Sequence, residues 1–191
     1  MIKTISLDKV RSLAIIGEIN SGKTNLAFYY MNTYEGTRKK YLYGYPKEIK
    51  GYKNISTWGD LLKIKDGIIF MDEIQRFIKF YDTKSNTQLM ELISLFAHKN
   101  NTLIFTTQLS QFITRGVEAF VDCWGIKRID LETLKNGSKP KRIIQRLCCE
   151  RKNDWVLDLE PDEFFEYSEK NEIGENRIKK FTFQNIGKDF R

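Results

Sequence analysis

The sequence predicts an α/β fold: a mostly parallel central sheet with helices on both faces, and antiparallel strands added toward the C-terminus. Three observations lead there. The runs Leu13-Ala14-Ile15-Ile16, Gly67-Ile68-Ile69-Phe70-Met71 and Thr102-Leu103-Ile104-Phe105-Thr106 are apolar without alternation, as in strands buried on both faces. Helical stretches separate them, so strands and helices alternate as far as Phe120. Beyond Phe120 the pattern turns strand-like, with a hairpin signal at Asn136-Gly137 and Lys139-Pro140.

Taken in order, Leu13–Ile16 is a buried strand, and the helix after it runs to about Tyr34, where Glu35-Gly36 ends it. Lys40–Gly44 is a second strand, stopped by Tyr45-Pro46. A weak strand at Asn54–Ser56 leads to a short helix around Trp58–Leu62. Gly67–Met71 is the clearest buried strand. The spacing of Leu89, Leu92, Ile93 and Phe96 predicts a helix from Thr87 to His98. Strand 102–106 follows, then a helix from Ser110 to Phe120. Trp124–Ile129, Arg142–Cys149 and Trp155–Leu159 read as strands. The stretch 160–191 is rich in charge, with a short strand at Lys180–Phe183. Residues 1–160 are thus expected to form the folded domain, and 161–191 a charged extension packed on it or on a partner.

At 191 residues the chain has the length of one domain with a well-buried core. Hydrophobic residues make up 41% and charged ones 30%, and no apolar run approaches the roughly 20 residues that cross a bilayer. Residues 1–10 lack the pattern of a signal peptide, so a cytoplasmic protein is expected. Cys123, Cys148 and Cys149 suit neither a disulfide framework nor a zinc pair and read as small apolar filler. His98 is the only histidine, which excludes a histidine triad or a multi-histidine metal site. The net charge of +7 is uneven: segment 37–53 holds six Lys/Arg against one acid, and 127–153 nine against three. Two basic blocks point to a polyanionic partner, nucleic acid first.

The first chemical motif follows the first strand. Gly17-Glu18-Ile19-Asn20-Ser21-Gly22-Lys23-Thr24 has the form G-x-x-x-x-G-K-T, a P-loop in its expected setting of strand, glycine loop and helix. Two glycines allow the tight turn that aims consecutive N–H groups at anionic oxygens, and the helix opening at Thr24-Asn25 directs its positive end there. Gly17 through Asn25 are therefore the predicted nucleotide-binding stretch. Lys23 reaches the β- and γ-phosphates, and the Thr24 hydroxyl ligates Mg²⁺. The fold sharpens to a three-layer P-loop NTPase sandwich.

Ile68-Ile69-Phe70-Met71-Asp72-Glu73 is a Walker-B pattern, a buried strand ending in carboxylates at the sheet edge where the P-loop lies. Asp72 is the second predicted Mg²⁺ residue. Glu73 is placed to polarise the attacking water as general base, which favours hydrolysis over phosphoryl transfer to a small molecule. The next strand ends Thr106-Thr107-Gln108, where Gln108 can hydrogen-bond the γ-phosphate or the lytic water.

These three motifs in this order resemble the FtsK/HerA superfamily of DNA-pumping ATPases. There the strand after Walker B ends in a glutamine, commonly as Thr-Gln, and Leu109–Arg115 is similar to the segment that follows. The likeness spans Leu13 to Ile129 and is greatest to small viral or mobile-element genome-packaging ATPases. Zot-type ATPases of filamentous phages, similar at Met71-Asp72-Glu73-Ile74-Gln75, come second. The resemblance implies an ATP- and Mg²⁺-dependent motor on double-stranded DNA, working as a homo-oligomeric ring, commonly a hexamer. A neighbour's arginine would complete each site; Arg115 is the first candidate, Arg76 and Arg128 the others. The Lys127–Lys152 block is a candidate DNA contact. The alternative is a Zot-like assembly or secretion ATPase acting on a capsid or virion protein, although no membrane segment is visible. An AAA+ switch fits less well, since strands rather than a helical lid follow Trp124.

Overall fold

β-Branched and aromatic runs too short for helices form the sheet, and longer stretches with helical spacing cover it. The computed structural model describes residues 4–77, 83–108, 119–129, 156–168 and 178–184. In chain order these form β1 (Ser12–Ile16), α1 (Lys23–Asn32), β2 (Lys39–Tyr43), β3 (Lys53–Ile55), α2 (Trp58–Leu61) and β4 (Gly67–Met71). A 3-10 turn at Ile74–Arg76, α3 (Thr83–His98), β5 (Thr102–Thr107), β6 (Cys123–Ile126), β7 (Glu163–Tyr167) and β8 (Ile178–Lys180) complete them.

All eight strands form one sheet in the order β3-β2-β4-β5-β1-β6-β7-β8. The first six in that order are mutually parallel; β7 and β8 are antiparallel additions. Strand β1 has β5 on one side and β6 on the other, and the connection leaving β1 runs toward the β2 side of the sheet while that leaving β5 runs to the β6 side. In an open α/β sheet, ligands bind outside the carboxyl ends of the strands at such a point. The register aligns Ile16 with Thr107 and Met71 with Phe105, which brings the tips of β1, β5 and β4 to one edge.

Both faces of the sheet are covered, which is why its central strands show no polar alternation. Leu13, Ile15, Ile68, Phe70 and Ile104 pack with Leu26, Phe28 and Tyr30 of α1. Ala14, Ile16, Ile69, Met71, Leu103 and Phe105 pack on the other side with Leu89, Leu92, Ile93 and Phe96 of α3. Alternate strand residues thus feed opposite cores, giving three layers.

Helix α1 is unusual in burying six consecutive residues, Leu26 to Met31, rather than one stripe. Its outer side is clad as well. The Tyr29 ring lies 5.6 Å from that of Phe181, and Phe28 5.4 Å from Tyr52. The segment after β8 continues along the helix: Gln184 N–H donates to Asn25 Oδ1 at 2.7 Å, and Asn25 Nδ2 to Gln184 O at 3.2 Å.

The C-terminal elements depart from expectation. The strand expected at Trp124–Ile129 spans Cys123–Ile126, because the chain then turns under the β1 loop: Lys127 N–H donates to Ile16 O and Glu18 N–H to Arg128 O. Residues 156–159 form a turn rather than a strand, and the strand is β7, which begins four residues beyond Leu159. The short strand expected at Lys180–Phe183 is β8, at Ile178–Lys180. Strand β7 was hidden by its charge. Glu166 lies inside it at 1% exposure, bonded by Lys179 Nζ, by the Tyr30 hydroxyl and by Ile5 N–H at 3.2 Å. A glutamate in such surroundings is a satisfied buried charge, not a solvated one. The helix expected at 110–120, apart from a turn at residues 119–120, lies outside the described residues, as do the hairpin signal, the strand at 142–149, Cys148 and Cys149. Cys123 is fully buried in β6. Among the described residues no helix is long and apolar enough to cross a membrane.

Candidate active site

The glycine loop joins the tip of β1 to α1 and is shaped by close approaches. Gly22 has φ +87°, a left-handed conformation that side chains disfavour, and a Cβ there would stand 2.8 Å from Pro161 O. Gly17 is needed for proximity: a Cβ would stand 2.6 Å from Lys127 Cβ. Gly22 is also the N-cap of α1, and no side chain caps that helix. The first-turn N–H groups are therefore available to an anion, as at anion-binding helix ends generally. Ile19 and Asn20 form the exposed apex of the loop. Ser21 Oγ is buried without a protein partner beneath it.

Lys23 opens α1 at 7% exposure, and its ammonium donates to Glu18 O across the loop at 2.6 Å. Burial lowers its pKa, opposed by the charges of Asp72, Glu73 and Glu18. The next residue reaches the acidic strand: Thr24 Oγ1 lies 3.1 Å from both Asp72 carboxylate oxygens. Burial raises the Asp72 pKa, while hydrogen bonds from Thr106 and Thr24 work against that rise. A hydroxyl and a carboxylate held together beside phosphate-directed N–H groups are the oxygen donors that suit a hard divalent cation.

Strand β5, inserted between β1 and β4, ties the two acids together. Thr106 Oγ1 donates to Asp72 Oδ1 and accepts the main-chain N–H of Glu73 at 2.8 Å. Gln108 Nε2 donates to Glu73 Oε1. Glu73 itself has φ 48° and ψ 65°. For a residue with a Cβ this left-handed conformation costs roughly 1 kcal/mol. The Thr106 bond to its N–H holds it there, at the sharp turn between β4 and the 3-10 turn.

No family profile and no curated protein matches the sequence. Solved structures do. The DNA-packaging ATPase B204 from Sulfolobus turreted icosahedral virus superposes with TM-score 0.60 and 16% identity, over 88% of this chain and 95% of that one. The genome-packaging NTPase B204 from Sulfolobus turreted icosahedral virus 2, in complex with ATP-γ-S, gives 0.63 at 15% identity, over 93% and 98%. The pCW3 conjugation coupling protein TcpA gives 0.57 at 13% identity, over 87% of this chain and 59% of its own. This chain shares their fold.

On this fold, Lys23, Thr24, Asp72, Glu73 and Gln108 meet at one sheet edge, drawn from the head of α1 and the ends of β4 and β5. Three other residues fall elsewhere. The Asn25 side chain faces away from the loop, toward Gln184. Arg128 is engaged within its own chain, its guanidinium paired with the Glu18 carboxylate. Arg76 is exposed on the turn after Glu73. Arg115 lies outside the described residues, as does most of the Lys127–Lys152 block.

Sequence reasoning passed over Thr106 as a site residue. A signal existed: Thr106 and Gln108 are two apart on a strand and so share one face, the face toward the acids. Lys127, read from the sequence as the start of a DNA-contact block, is instead buried under the loop, its ammonium bonded to Pro161 O and Glu163 O.

Proposed function

We propose that this protein is a Mg²⁺-dependent ATPase subunit that translocates or packages double-stranded DNA, working in a homo-oligomeric ring. The observation that carries the reading is the bonded chain Thr24–Asp72–Thr106–Glu73–Gln108, which joins a phosphate loop to a carboxylate held for water activation. The likeness to B204 over nearly the whole of both chains favours packaging as the task.

In this mechanism the N–H groups of the loop and the Lys23 ammonium bind the β- and γ-phosphates of ATP. Thr24 and Asp72 would hold Mg²⁺, which when bound would neutralise charge on the phosphates. Glu73 accepts the proton of the attacking water as its oxygen bonds to the γ-phosphorus and the bond to ADP breaks. Gln108 occupies one Glu73 oxygen and so leaves the other to the water. Thr106 keeps the two carboxylates in register, one for the cation and one for the proton. Arg115 of a neighbouring subunit is the first candidate to stabilise the transferring phosphoryl group.

The test is ATP hydrolysis with and without double-stranded DNA, alongside a solution mass. The expected result is a ring whose Mg²⁺-dependent turnover rises with DNA and weakens with salt. A ring that hydrolyses ATP indifferently to DNA overturns the DNA task and favours a protein cargo. A chain that neither binds nor hydrolyses ATP overturns the enzyme.

A further inference from the structure

Lys127 is a buried cation that the mechanism above does not use. It directly follows β6, is 0% exposed, and runs beneath the phosphate loop. Its main-chain N–H donates to Ile16 O at 2.8 Å, which fastens it to the last residue of β1. Its Cβ packs under Gly17, 2.6 Å from where a Cβ on that glycine would stand. Its Cε and Nζ lie 3.6 and 3.7 Å from the corresponding point on Gly22. The side chain therefore passes below both glycines of the loop. Its ammonium then donates to Pro161 O at 2.7 Å and to Glu163 O, and stands 4.8 Å from the centre of the Phe181 ring.

We propose that Lys127 is a positioning residue for nucleotide binding: a second ammonium behind the phosphate loop that couples the loop's affinity for polyphosphate to the turn at 161–163. The proposal rests on the ATP-site reading given above. Two kinds of contact carry the coupling. The first is steric, since the Pro161 carbonyl that accepts from the ammonium is also the atom closest to Gly22, 2.8 Å from its Cβ position. A shift of the turn is therefore felt by the residue that caps α1. The second is electrostatic, since the ammonium sits on the protein side of the loop whose other side receives the phosphates.

The charges facing Lys127 give the second contact a sign. Burial lowers its pKa to about 7; Asp162 and Glu163 on the turn and β7 oppose this, while Arg128 beside it and Lys23 at the head of α1 add to it. Lys180 of β8 is bonded to the Glu163 carboxylate at 3.0 Å. A polyphosphate bound at Lys23 brings negative charge close to the ammonium and favours its protonated form. Binding then takes up a proton above pH 7, so affinity falls as pH rises from that point.

The experiment is ADP binding by calorimetry to the full chain and to Lys127→Met and Lys127→Arg, from pH 6.5 to 9. The titration of ADP itself is common to all three proteins and cancels in the comparison. The expected result is about tenfold weaker binding by Lys127→Met at pH 6.5, with the gap closing toward pH 9, and partial rescue by Lys127→Arg. Lys127→Met with wild-type affinity and the wild-type pH slope overturns the proposal. Should Lys127→Met not fold, lysine-labelled NMR of the wild-type chain decides, with Lys127→Arg for assignment. A lysine signal titrating near neutrality that moves to higher pH with ADP supports the proposal, and one indifferent to ADP overturns it. A wild-type chain that binds no ADP at any pH overturns the ATP-site reading instead, and this proposal with it.

Discussion

Gln108 at the tip of β5 donates a hydrogen bond from Nε2 to Oε1 of Glu73, the second residue past β4. The acid is thereby oriented by a side chain from the strand that separates it from the glycine loop. Strand order, rather than sequence proximity, is what makes this contact.

If Glu73 is the proton acceptor, Glu73→Gln keeps shape and most hydrogen bonds but removes basicity. The expected loss in kcat is about 10²–10⁴-fold with ATP affinity retained. Steady-state turnover together with ATP binding checks it. Retained turnover would place the base elsewhere.

Gln108→Ala frees the Glu73 carboxylate without changing its charge. A positioning contact of this kind predicts kcat reduced about tenfold and KM little changed. A large rise in KM with kcat intact would instead assign Gln108 to substrate binding.

Asp72 has its pKa raised by burial against the bonds from Thr106 and Thr24, so its charged form costs folding free energy. Asp72→Asn keeps an oxygen for the two threonines and removes that charge. The variant is expected to be more stable than wild type near pH 7, by about 1 kcal/mol, while losing Mg²⁺-dependent hydrolysis. A carboxyl whose pKa is higher folded than unfolded makes the wild type gain stability as pH falls. The advantage of Asp72→Asn should therefore shrink as pH drops through that raised pKa. Melting temperatures of both proteins across pH provide the measurement, and an advantage that grows on acidification would contradict the assignment.

Lys179 and Glu166 form an ion pair with side chains 5% and 0% exposed, shared with the Tyr30 hydroxyl of α1. Removing one partner leaves an uncompensated buried charge. Lys179→Met is expected to cost about 3–5 kcal/mol in denaturant unfolding. The double variant Lys179→Met, Glu166→Leu should recover much of that loss, and equal losses in the single and double variants would argue against a charge effect.

The glycine loop, the Asp-Glu pair and the parallel core were legible because each is written in consecutive residues. A P-loop needs glycines, lysine and threonine at set spacing, and a strand buried on both faces needs an unbroken apolar run. Helix α3 was legible from the spacing of four apolar residues, though it starts at Thr83, a turn ahead of the expected Thr87. Strand β7 was not, because Glu163-Phe164-Phe165-Glu166-Tyr167 reads as half polar until Lys179 and Tyr30 are known to meet Glu166. Arg128, read from its type as a candidate for reaching a neighbour, is paired with Glu18 of its own loop.

By itself, the sequence determined the local pattern: a glycine loop, an acidic pair at a strand end and a polar strand tip, each written in consecutive residues. Tertiary structure alone decided how those groups are wired. It inserts β5 between β1 and β4, so that Thr106 and Gln108 reach Asp72 and Glu73. It also lays Gln184 against Asn25 and runs Lys127 under both loop glycines. The reason is physical. These contacts join residues 33 to 159 positions apart, and chain closure over such distances leaves no periodicity in the sequence. Only packing, and the demand that buried charges and amides find partners, selects them.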